Sequence, residues 1–121
     1  RSLTMDERLE KALDFSNYML TLNNQKRLLA QKYQEELIHF YDGSQFTVTR
    51  ELITFVSAMV SVNQDEVVIT DDNNIPCQVE ELENFYSEII NKYTTASNDY
   101  YSSYLKLKTS RSVEKLVNHE Q

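Results

Sequence analysis

A chain of 121 residues is the size of one ordinary domain, long enough to bury a core without disulfides or a structural metal. Its single Gly and single Pro leave few sharp turns, which disfavours a sandwich or barrel and favours long helices. The net charge of −7 is unevenly spread: residues 1–41 hold six basic and six acidic side chains, residues 42–80 one and seven, residues 81–121 five and six. An acidic centre between balanced arms argues against a phosphate-binding surface, so no nucleic-acid partner is expected.

Residues 1–41 read as one long helix. Thr4 is a reasonable N-cap, with Asp6 and Glu7 in the first turn where the helix dipole favours acids. From Ala12 a seam steps at alternating threes and fours through Phe15, Met19, Leu22, Lys26, Leu29, Tyr33, Glu36 and Phe40. Leu13, Leu20, Leu28, Leu37 and Ile38 widen that stripe, so the helix is expected to pack along its length. Asn23 and Asn24 are weak helix formers and mark a place where it could kink.

Residues 42–79 read as a compact α/β insert. Asp42-Gly43-Ser44 is a turn, and Phe46-Thr47-Val48 a short alternating segment. Thr49 then caps RELITFVSAMVSV, whose apolar residues cover more than one face; this short helix is expected to be buried on several sides. Val67–Ile69 and Ile75–Val79 flank Asp71-Asp72-Asn73-Asn74 and predict an antiparallel hairpin, with Phe46–Val48 a candidate third strand.

Residues 80–108 read as a second long helix. Leu82, Tyr86, Ile89, Tyr93, Ala96, Tyr100, Ser103 and Leu107 keep heptad spacing and call for a long partner helix. The nearest partner is the first helix, antiparallel; a second copy of the chain competes. Phe85, Ile90, Tyr104 and Leu105 flank the seam, and its tyrosines point to a boundary where each hydroxyl finds water or an acceptor. After Thr109 the pattern loosens, and residues 109–121 suggest a brief helix capped by Ser112, with Val113, Leu116 and Val117 to dock on a neighbour or on another subunit, and a tail. The expected fold is therefore mainly α (α+β): one domain of two long antiparallel helices, joined by an insert with a short buried helix and a small hairpin or three-stranded sheet.

Tests for chemistry return little. A calcium loop started at Asp71 or Asp72 fails, because Ile75 and Pro76 fall where an oxygen ligand and a Gly are needed. Glu36-x-x-His39 occurs once, without the second copy a di-metal bundle requires. One Gly permits no phosphate loop, and no Ser-His-Asp pattern is present. No run of eighteen apolar residues suggests a membrane span, and no secretory signal is evident. The lone Cys77 cannot close an internal disulfide, which fits a reducing cytoplasm, and reads as a small apolar strand residue. The expectation is thus a protein without cofactor or metal, and not an enzyme.

The stretches LEKALDFSNYMLTLNNQKRLL, FTVTRELITFV, DDNNIP and KTSRSVEKLV resemble segments of a small protein of T4-like tailed phages of marine bacteria. The resemblance implies a viral setting, in which a small acidic helical protein serves particle assembly or binds a host factor; it carries over no functional residues. Two functions stay open. One is a self-associating interaction protein using its Tyr-rich seam, with Tyr86, Tyr93, Tyr100 and Tyr104 as candidate contacts, its partners being further copies or other virion or host proteins. The other is a small acidic inhibitor or regulator that meets a basic site on a host protein through residues 42–80, with Asp71, Asp72, Asn73 and Asn74 at the tip.

Overall fold

The computed structural model describes residues 4–120, with side chains from Thr4 to Thr109. Helix α1 spans Met5–Glu36, strand β1 Ile38–Tyr41, β2 Ser44–Thr47, helix α2 Arg50–Ser61, β3 Val67–Thr70, β4 Pro76–Val79 and helix α3 Leu82–Glu120. This is the mainly α fold expected, with β structure confined to two hairpins. The chain divides into two compact units, Arg1–Gln31 with Ser102–Gln121, and Lys32–Tyr101. Both long helices contribute to each.

Thr4 caps α1 as expected: its Oγ1 accepts from the Glu7 amide at 3.1 Å. The helix ends at Glu36 rather than continuing to residue 41. The reason is a change of period, since Leu37 and His39 turn inward while Phe40, placed on the helical seam by its spacing, is two-thirds exposed. Asp42 and Gly43 both have positive φ, 47° and 79°, which is the backbone of a type I′ hairpin turn. It pairs β1 with β2 in the register Ile38 to Thr47 and His39 to Phe46. Thus Phe46 and Thr47 do not add a third strand to the later hairpin; they close one of their own.

Helix α2 begins at its Thr49 cap, whose side chain accepts from the Leu52 amide at 3.1 Å. Its burial is one-sided, contrary to the expectation from its composition. Val56 is fully buried, Leu52, Ile53, Met59 and Val60 are half-buried beside it, and Phe55 and Val62 face outward. The helix stops in a Schellman motif: the Gln64 amide reaches the Met59 carbonyl and the Asn63 amide reaches Val60, both at 3.0 Å. Asn63 supplies the left-handed residue, φ 64°, where Gly is usual.

Strands β3 and β4 pair from Val67–Val79 to Thr70–Pro76. Asn74, at φ 62°, turns the loop between them. A chain with one glycine thus makes its sharp turns largely with Asp and Asn, whose short polar side chains tolerate this conformation.

The core lies in Lys32–Tyr101. Phe46, Val48, Val56, Val79, Leu82, Phe85 and Ile89 are all but sealed from solvent, and Leu37, Cys77 and Ala96 are nearly so. Phe85, in the first turn of α3, is its hub. Three rings meet it edge-on: His39 at 5.6 Å, Tyr41 at 5.7 Å and Phe46 at 5.5 Å between centroids. Within this unit Tyr33 meets α3 at Ser97 and Tyr100 while His39 meets it at Phe85, so the chain leaving α1 runs antiparallel to α3.

The heptad seam of α3 is covered throughout: Leu82, Ile89 and Ala96 are buried, and Tyr86, Tyr93, Tyr100, Ser103 and Leu107 half-buried. The helix passes residue 109 without a break and ends at Glu120, so the separate capped helix expected at Ser112 does not form. The expected docking of Val113, Leu116 and Val117 concerns side chains beyond those described.

Replacing Phe85 with Ala removes the ring at the centre of four and is expected to cost about 3–5 kcal/mol. Urea unfolding followed by far-UV circular dichroism checks this; a loss below about 1 kcal/mol would mean the cluster repacks freely.

Candidate interaction sites

The seam tyrosines have partners within the chain. Tyr100 stacks on Tyr33, centroids 4.8 Å apart and planes 24° from parallel. The Tyr33 hydroxyl is 3.1 Å from Ser97 Oγ. Tyr86 donates to Ser57 Oγ at 3.4 Å, and Tyr93 packs against the core. The ammonium of Lys26, a seam position of α1, lies 5.7 Å from the ring centroid of Tyr104. Tyr100 and Tyr104 thus meet α1, Tyr86 reaches α2 and Tyr93 the core, and the more exposed apolar surface lies elsewhere.

Part of that surface is on α1, which has no fully buried residue in its 32 positions. From Tyr18 to Glu36 its seam is half-covered, whereas from Thr4 to Asn17 only Glu7 is. Met5, Leu9, Leu13 and Leu20 each keep more than half their surface exposed. At 100° per residue Leu9, Leu13 and Leu20 fall within about 40° of one another, roughly 140° around the helix from Met19, Leu22, Lys26 and Leu29. The helix thus carries a second apolar stripe, distinct from the seam.

The acidic tip is also spoken for. Asp71 is buried, and its Oδ1 accepts from the amides of Asn73 and Ile75, each at 2.9 Å. Asp72 reaches across to the other hairpin. Its amide donates to the Gln45 carbonyl at 2.9 Å, and its carboxylate accepts from the Thr47 amide at 3.0 Å, Thr47 Oγ1 at 2.7 Å and Gln45 Nε2 at 3.1 Å. One aspartate thereby does for the open edge of β2 what a neighbouring strand would do. Asn73 and Asn74 are exposed in the tip, with their amides tied back to Asp71 Oδ1 and the Asp71 carbonyl.

A third feature escaped the sequence reading. A groove of about 460 Å³ opens along α3 between Glu88 and Asp99, walled by Asn91, Lys92, Thr95 and Ala96, with Glu36 and His39 on its far side. The α3 residues recur every three or four positions, so a polar stripe beside the seam was visible in the sequence. Its opposite wall was not, because Glu36 and His39 arrive from some fifty residues away. Glu36 ends a helix and His39 lies in a strand, so their i, i+3 spacing is not a helical pair.

His39 is 9 % exposed, and its Nε2 is buried without a hydrogen-bond partner. The Glu88 carboxylate is 3.2 Å away. Burial, and then the positive charge of Lys92, lower the His39 pKa below its ordinary 6.5; the charge and acceptor of Glu88 oppose this. Lys92 is itself tied back, its ammonium donating to the Ile38 carbonyl at 2.8 Å. No group of three or more His, Cys, Asp or Glu among the described residues is arranged to hold a metal, and no helix among them is long and apolar enough to cross a membrane.

No protein-family model, curated protein or solved structure matches the chain.

Two acid-sensitive windows follow, with different causes. Above about pH 6.5 His39 is neutral in both states; as pH falls below that value the unfolded chain takes up a proton that the native chain resists, and stability declines. His39→Gln is expected to flatten the decline in urea midpoint between about pH 7 and 5. Asp72 behaves separately. Burial alone would raise its pKa, but the hydrogen bonds from Thr47 and Gln45 prevail and hold it below its ordinary 3.8. Its contribution is present above about pH 3.8 and disappears as pH falls through the lowered native value, so Asp72→Asn should flatten that lower window alone.

Proposed function

We propose that this is a non-enzymatic interaction protein that associates with further copies of itself through the outer face of α1. One observation carries the reading: a 32-residue helix without a fully buried residue presents Leu9, Leu13 and Leu20 to solvent, away from its own seam. Exposed leucines aligned on one face of a helix, here with Ser16 and Asn17 between Leu13 and Leu20, suit a docking surface.

A second copy suits the stripe because Leu against Leu is self-complementary, as a two-fold interface requires. Covering the exposed parts of three leucines on each of two copies contributes on the order of 5–10 kcal/mol, against about 4–15 kcal/mol lost in association. The assembly is therefore expected to depend on concentration. In the viral setting implied by the sequence resemblance, such a protein serves particle assembly.

Size-exclusion chromatography with light scattering tests this. The native chain is expected to gain mass as concentration rises through the micromolar range, and a triple variant, Leu9→Ser with Leu13→Ser and Leu20→Ser, to remain monomeric with its helical signal retained. A native chain that is monomeric throughout overturns the proposal.

A further inference from the structure

The groove along α3 goes beyond self-association and does not rest on it. Its fixed charges are the carboxylates of Glu36, Glu88 and Asp99 and the ammonium of Lys92. Lys92 is turned to the Ile38 carbonyl and Glu36 is loosely paired with Lys32 at 3.7 Å, while Glu88 and Asp99 are exposed. The walls therefore favour a cation and disfavour a phosphate or carboxylate ligand.

The second observation is the buried nitrogen of His39. A polar atom sealed from water without a hydrogen bond is costly, and here the acceptor that would satisfy it is already 3.2 Å away. Glu88 has 57 % of its side chain exposed, so a ligand in the groove reaches its carboxylate. A cation in the groove that engages one Glu88 oxygen squares the other to Nε2–H, and satisfies the histidine at the moment of binding. A planar guanidinium does this better than an ammonium, because its paired N–H groups fix the plane of a carboxylate.

We propose that this groove is a docking site for arginine side chains of an extended segment of a partner protein. From Glu88 to Asp99 is eleven helical residues, about 16 Å, which is the reach of roughly five residues of extended chain. The segment that fits carries two arginines five positions apart, one for each end. Asn91 and Thr95 offer neutral acceptors between them.

A fluorescently labelled hexapeptide with arginine at both ends and alternating Ala and Ser between is the probe. It is titrated against the full chain by fluorescence anisotropy and by NMR of the His39 imidazole. Saturable binding that weakens with added salt is expected, with the His39 signals moving at the same midpoint. The same peptide with citrulline in place of both arginines keeps the shape without the charge, and is expected to bind at least about tenfold more weakly. Glu88→Gln with Asp99→Asn should weaken the arginine peptide by a similar factor, whereas Glu51→Gln with Glu66→Gln, an equal loss of charge at exposed positions elsewhere, should change it less than about twofold. Equal weakening by the two double variants would show only attraction to an acidic protein and overturns the proposal. So does citrulline binding as tight as arginine, an unmoved His39 ring, or no saturation in the millimolar range.

Discussion

The ring of Phe85 is the contact on which the larger unit depends. A two-stranded hairpin is marginal in water by itself, and this molecule has two of them. The first is held because His39, Tyr41 and Phe46, from both its strands, meet the edge or face of one side chain on α3. Tyr41 carries the tie further, since its hydroxyl accepts from the Glu80 amide at 3.0 Å, just beyond β4. The apolar faces of α2 and of the second hairpin close over the same centre through Val56, Cys77 and Val79.

Polar contacts do what the small core cannot. The two hairpins do not form one sheet, yet Asp72 joins them by offering its own amide and carboxylate to the groups β2 turns outward. An exposed strand edge invites pairing with other chains, and here a single residue from a loop blunts it. The acidic tip thus has a structural duty. Its charge is the means by which the carboxylate accepts three hydrogen bonds at once.

Among the surfaces left once these internal needs are met, two bear on function. One is apolar, the outer stripe of α1; the other is polar, the groove beside α3. His39 links the second to the core, because the same imidazole packs edge-on against Phe85 and places an unpaired nitrogen beside Glu88. Anything that reorients Glu88 is therefore felt by a ring buried in the core.

Much of the architecture was written in local pattern. The alternating threes and fours of α3, the caps at Thr4 and Thr49 and the β-branched runs around residues 71–74 each act over a few neighbours, so their spacing alone determined helix, start or hairpin. Residues 37–41 show where this stops. Leu37, Ile38 and Phe40 satisfy a helical stripe as well as a strand, and the choice fell to the turn at Asp42-Gly43 and to the pocket that Phe85 offers to His39 and Tyr41. The roles of Asp72 and of the groove were likewise beyond reach of the sequence, since each pairs side chains far apart in the chain, and only folding brings them within hydrogen-bond distance. Sequence determined the elements because their energetics are local. Tertiary structure decided which side chains are spent on the fold and which are left to meet a partner.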